Sequence, residues 1–199
     1  MKIIHNEHLV SNGAFPDSID FDVIRIELEE AIKTVTWYKK SSFVINPIRK
    51  GNGVVPIKQN FIAKLESYKW KSEVRMSLAK GMNPGPIDAV KETEFGKFAV
   101  EWETGNISSS HRALNKIAVG IIQKEIIGGI LILPVKQFAQ YLTDRIGNYE
   151  EIAPYFPMYR KLQIEDGFIG IIAIQHDGES DHAPIIPKGK DGNAPKIKK

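Results

Sequence analysis

Two stretches of this chain are apolar at nearly every position, residues 126–133 (IIGGILIL) and 168–174 (FIGIIAI). A strand with one face in water alternates apolar and polar residues, so these runs predict strands buried on both faces, in a sheet covered by helices. The surrounding segments supply the helices. Residues 20–34 place Phe21, Ile24, Leu28 and Ala31 at helical spacing behind acidic first-turn residues. Pro56 opens a second helix with Ile57, Phe61, Ile62 and Leu65 on one face, and a third runs from a cap at Asn106 or Ser108 to about Lys124. Short helices are predicted at 135–141 and from Asn148 onward. Strands at 42–45, 87–90 and 97–103 complete an alternating α/β pattern, interrupted by GMNPGP at 81–86, with no internal repeat or long linker.

The 199-residue length suits one well-cored domain, and the longest apolar run is far short of the roughly 20 residues of a membrane span. The absence of cysteine excludes a disulfide framework, thiolate zinc sites and cysteine nucleophiles. With no apolar leader in its first residues, the chain is expected to be soluble and cytoplasmic. The net charge of +3 hides an asymmetry: residues 188–199 carry five lysines and one aspartate, leaving 1–187 at −1. A basic arm on a near-neutral body fits a polyanion partner, although a frayed soluble terminus has the same composition.

The acidic residues carry the most chemistry. Glu101 and Glu103 flank Trp102 in a strand where Phe98, Val100 and Trp102 alternate with a largely polar face, so the two carboxylates project together. Neighbouring carboxylates repel unless solvated, protonated or bridged by a cation, and hard oxygen ligands suit Mg²⁺ or Ca²⁺. An isolated Glu-X-Glu more often marks a solvated strand edge. Asp88, after Gly85-Pro86-Ile87, shifts that balance, because a hairpin would bring it beside Glu101. Residues 104–112 (TGNISSSHR) then gather polar donors at a helix start, where backbone N–H groups favour anions. Acidic ligands beside an anion-binding helix start suit metal-assisted phosphodiester hydrolysis. There is no nucleophile elbow, Walker loop or dinucleotide fingerprint. The five histidines lack zinc-site spacing; His5 and His8 could share a helical face, but a disordered N-terminus is the simpler reading. Asp144 and Arg145 offer an acceptor and a bidentate donor, or simply a local salt bridge.

Taken in order, GNGVVPIK (51–58), GPID (85–88), EWETGNISSSHRALNK (101–116), YLTDR (141–145), PYF (154–156) and PKGKDG (187–192) resemble the BamHI family of type II restriction endonucleases. The likeness spans about residues 45–192 and is much weaker over 1–40. It implies a PD-(D/E)XK fold, a central mixed β-sheet flanked by α-helices, with an endonuclease domain at 1–187 and a basic arm at 188–199. It further implies a homodimer that cuts double-stranded DNA at GGATCC after the first G, leaving a 5′ overhang. By motif position Asp88 and Glu101 would be shared metal ligands together with the Trp102 carbonyl, and Glu73, on a looser match, would complete a second metal position. Glu103 stands where the wider superfamily has lysine, as a general base or water-orienting group. The implied cofactor is Mg²⁺, two per site, with Mn²⁺ as a substitute and Ca²⁺ supporting binding alone. DNA contacts would come from Lys58, Asn106, Ser108, Arg112, Asp144, Arg145, Gly189 and Asn193.

Two departures from the family pattern matter. Asn193 replaces a methionine near the minor groove, and Ile122, Gln123, Pro157 and Arg160 replace charged or histidine positions on the implied dimer helices. The latter implies a more apolar, less salt-sensitive interface. A methyltransferase protecting host DNA is expected, without direct contact. A protein that occupies the site without cutting is the alternative, disfavoured because acids kept beside phosphates oppose simple binding.

Overall fold

The computed structural model describes residues 1–76 and 85–188. A six-stranded mixed sheet forms its centre, in the order β1-β8-β7-β6-β5-β4. The two apolar runs are its middle: β7 (Gly128–Pro134) and β8 (Gly167–Gln175) pair in parallel, with almost every residue buried. β6 (Gly96–Trp102) lies parallel to β7 and forms an antiparallel hairpin with β5 (Ile87–Thr93). Gly96, at φ 124°, closes that hairpin in backbone space that side chains rarely adopt. β4 (Lys71–Val74) continues the sheet antiparallel to β5, and β1 (Lys2–Asn12) edges it antiparallel to β8.

Helices cover both faces. α1 (Ile19–Lys33), capped by the Ser18 hydroxyl accepting from the Phe21 N–H, and α2 (Val55–Ser67), with Pro56 in its first turn, lie on one side. Their apolar stripes meet Phe98, Val100, Trp102 and Phe168; the Phe21 and Phe168 rings are 4.4 Å apart. α3 (Ile107–Ile122) covers the other face through Ala113, Leu114, Ile117 and Ile121. Each buried large side chain in these layers contributes roughly 1.5–3 kcal/mol. α4 (Lys136–Ala139), α5 (Tyr149–Ile152) and α6 (Phe156–Tyr159) are short; Asn148 opens α5 in a reciprocal cap with Glu151. Beside the main sheet, β2 (Tyr38–Lys39), β3 (Ser42–Ile45) and β9 (Gly178–Glu179) form a small one. No helix among the described residues is long and apolar enough to cross a membrane.

Two expectations need correction, the N-terminus and the polar face of β6, and one strand, β4, was not expected. The N-terminus is a strand, so His5 and His8 fall on opposite faces of the sheet instead of sharing a helical one: His5 stacks on Tyr149 at 4.1 Å, and His8 meets the edge of Phe168 at 4.9 Å. Its polar alternation belongs to an edge strand, which masks the periodicity a buried strand shows. β4 is too short to show a pattern. Beyond exposed Lys97, β6 has no solvated polar face, because Ala99 and Glu101 are buried on the side that α3 covers. Residues 81–84 of the expected irregular stretch lie outside the described residues.

Candidate active site

The β5–β6 register pairs Ala89 with Val100, which sets Asp88 across from Glu101. On the other flank, β4 pairs Ser72 with Ala89 and Val74 with Ile87, bringing Glu73 level with Asp88. Three carboxylates thus stand in a row on three adjacent strands. The Trp102 N–H donates to Asp88 Oδ2 at 2.8 Å, locking the row across the hairpin end. Glu73 holds its place at φ 53°, a left-handed conformation costing roughly 1–2 kcal/mol for a residue with a Cβ.

Glu103 follows β6 and accepts from the Gly105 N–H at 2.6 Å. All four acids open into one cleft of about 720 Å³ between α2 and α3. Glu66 joins them, while Lys58, Arg112 and Lys116 are the cations, so negative charge is in excess. Asp88 and Glu101 are 8% and 6% exposed. Burial, then the charge of Asp88, pushes Glu101 up to about 7 despite the opposing Lys116. Burial also raises Glu103, against the Gly105 N–H that favours its ionised form. A row of hard oxygen donors with surplus negative charge fits a divalent cation. The fit is not complete as the side chains lie: among the described residues no three acidic or histidine groups converge tightly enough to enclose a metal. Lys58 Nζ meets Asp88 Oδ1 at 2.5 Å, and Lys116 Nζ lies against Glu101 Oε1.

The residues expected to read DNA gather beside this cleft. Asn106, not Ser108, caps α3 by accepting from the Ser109 N–H at 3.0 Å. Ser108 and Arg112 are exposed in the first turns. The Asp144–Arg145 loop abuts that helix start, since the Gly147 N–H donates to the Gly105 carbonyl at 2.8 Å and a Cβ on Gly147 would sit 2.8 Å from Ile107 Cα. Arg145 is left-handed at φ 63° and, among the described residues, pairs only loosely with Asp144 at 3.9 Å, whereas Asp144 is held by Lys50 at 2.6 Å, which lowers its pKa. Lys58 faces Asp88, so here it is a cleft residue. Gly189 and Asn193, and with them the arm beyond Lys188, lie outside the described residues.

Chain-wide comparison identifies the relatives of this arrangement. The family model described as restriction endonuclease BamHI matches residues 1–193. This chain belongs to the BamHI family of type II restriction endonucleases. It is 47% identical to the type II restriction enzyme OkrAI of Oceanobacter kriegii over 98% of this chain and 99% of that protein. It is 40% identical to the type II restriction enzyme BamHI of Bacillus amyloliquefaciens over 83% and 80%. Its fold is the PD-(D/E)XK type, like that of the BglII endonuclease crystallised with a DNA 16-mer, at TM-score 0.63 and 17% identity over 89% of this chain and 79% of that one. Free BglII superposes at TM-score 0.55 and 15% identity, covering 89% and 81%.

Sequence reasoning missed two residues of this endonuclease. Lys116 was detectable as a charge on the inward face that Ala113, Ile117 and Gly120 share. Asn52 had no such signal. Fully buried, it donates to the Asn46 carbonyl at 2.9 Å and the Tyr141 carbonyl at 3.0 Å and accepts from the Ile186 N–H at 3.2 Å. It thereby ties the Asp144–Arg145 loop to the segment leading into the basic arm.

Two outcomes are expected. Asn52→Leu leaves the Asn46 carbonyl and the Ile186 N–H unpaired, at about 1–3 kcal/mol each, while the Tyr141 carbonyl keeps the backbone N–H of residue 52; it weakens specific DNA binding well beyond its effect on calcium binding, and titration of both ligands checks this. Glu101 has a folded pKa above its unfolded value, so between about 4.5 and about 7 the native state holds a proton that the unfolded chain has lost. Metal-free stability therefore falls as pH rises through that window. Glu101→Gln should flatten the slope in a series of melts, and an unchanged slope would assign it to another group.

Proposed function

We propose that this endonuclease hydrolyses double-stranded DNA at GGATCC, after the first G, as a homodimer using Mg²⁺. The observation that carries the reading is the row of Glu73, Asp88 and Glu101 at the foot of the helix bearing Asn106, Ser108 and Arg112. The identity to OkrAI and BamHI across most of the chain supports the choice of GGATCC.

Asp88 and Glu101 would hold the metal, with Glu73 and the Trp102 carbonyl as further donors. Bound magnesium supplies an acidified water and neutralises charge on the phosphate oxygens. The remaining steps belong to the chain. Glu103, raised by burial, is suited to take the proton of the attacking water, because a base works best with a pKa close to the operating pH. Arg112 and Arg145 present planar donors that match guanine, Asn106 matches adenine, and Asp144 can accept from cytosine. Two copies related by a two-fold axis would read the two halves of a palindrome.

Ile122 and Met158 are 58% and 55% exposed, and Tyr155 is 50% exposed, which favours an apolar pairing face drawn from the end of α3 and from α6 with the turn before it. Arg160 there is already bound to Glu7 at 3.0 Å within its own chain.

Incubation with a sequenced plasmid should give Mg²⁺-dependent ends within GGATCC, and Asp88→Asn should lose cleavage by at least about a thousandfold while still shifting the duplex in Ca²⁺. Ends elsewhere would refute the specificity, and a fully active Asp88→Asn would refute the site. Sedimentation between about 0.05 and about 0.5 M salt should show a dimer affinity that changes only a few-fold; steep dissociation would contradict the apolar face.

A further inference from the structure

Lys116 is the deeply buried cation of the cleft, 7% exposed and pointing inward from α3. Its ammonium donates to the Pro86 carbonyl at 2.8 Å and lies against Oε1 of Glu101. The contact is thus an ion pair between two buried side chains. Burying an ammonium or a carboxylate costs several kcal/mol unless each is matched, and truncating one partner leaves the other exposed to the full penalty. The ordinary occupant of such a position is an alanine or isoleucine, as at Ala113 and Ile117 alongside it. Lys58 pairs with Asp88 from α2 in the same manner, but it is half-exposed and can leave.

We propose that Lys116 is a positioning residue that acts as a resident counter-cation: it neutralises and orients Glu101 in the metal-free protein, and a divalent ion must displace its ammonium to bind the same oxygen. The inference rests on the reading of Asp88 and Glu101 as metal ligands. The displaced ammonium has a second acceptor already in hand, the Pro86 carbonyl, two residues before Asp88, so it can yield the carboxylate without leaving the core. Because α3 also carries Asn106, Ser108 and Arg112, one rigid element bears both the reading groups and the charge that guards the metal position.

The test is a calcium titration of the full chain without DNA, by calorimetry and thermal unfolding, on wild type, Lys116→Met, Lys116→Gln, Lys116→Arg and Asp88→Asn. Methionine keeps the aliphatic stem and glutamine the polarity, while both remove the competing charge. Expected is a metal-free Lys116→Met that melts below wild type yet half-saturates with calcium at a concentration at least about tenfold lower, and shows the larger calcium-induced rise in melting temperature. Lys116→Gln should behave likewise, and Lys116→Arg should restore weak, wild-type-like binding. Wild-type midpoints in both neutral variants would overturn the inference while leaving the metal site standing. A wild-type calcium response untouched by Asp88→Asn, or no response at all, would overturn the site reading and this inference with it. Neutral variants that fold only with calcium present would support it; neutral variants that fail to fold even then would make Lys116 a structural pin and end it.

Discussion

Asp88 and Glu101 face each other across a hairpin on the buried side of a sheet, and two carboxylates in that position repel unless positive charge stands between or beside them. Much of the surrounding architecture answers to that constraint. Lysines reach the pair from helices on opposite faces of the sheet, Lys58 from α2 and Lys116 from α3. The Trp102 N–H clamps Asp88 from the backbone, and Glu73 is held level with it in a left-handed conformation that a residue with a Cβ adopts only at a cost. The strain and the buried charge sit together in one cleft, as they do where a fold spends stability on a site.

The second constraint is mechanical. In the proposed reading, groups that read base edges must be fixed relative to the metal-holding acids, and α3 would do this directly, with exposed polar residues in its first turns and Lys116, paired with Glu101, about two turns further on. The loop carrying Asp144 and Arg145 has little secondary structure of its own. It is held by the Gly147–Gly105 hydrogen bond on one side and by buried Asn52 on the other. Asn52 spends both amide hydrogens and its carbonyl on backbone groups from three segments, which makes it a joint between loops that packing alone would not define.

The apolar runs at 126–133 and 168–174 announced the centre of the sheet, because a strand buried on both faces has no polar alternation to confuse it with a helix. The Pro56 helix start and the start at Asn148 were legible from local chemistry, and the α3 cap was narrowed to Asn106 or Ser108. β1 and β4 were not: an edge strand carries polar residues in half its positions, and four residues show no period. Four acids of the cleft were legible as a set and Glu66 was not, and the burial of Glu101 was hidden, since a strand sequence does not reveal whether its polar face meets water or another helix. Lys116 was hidden by the same ambiguity, and Asn52 because a loop asparagine gives no hint of how many loops it joins.

In the proposed reading, Asp88 and Glu101 together hold the metal with which this endonuclease cuts DNA. Crystals of the protein with a GGATCC duplex, soaked in Mn²⁺ and measured at the manganese absorption edge, address it most directly. An anomalous peak bonded to carboxylate oxygens of both Asp88 and Glu101 is expected, with the Lys116 ammonium withdrawn toward the Pro86 carbonyl. Cleaved DNA with the manganese peak elsewhere, and both lysine–carboxylate pairs intact, would contradict it.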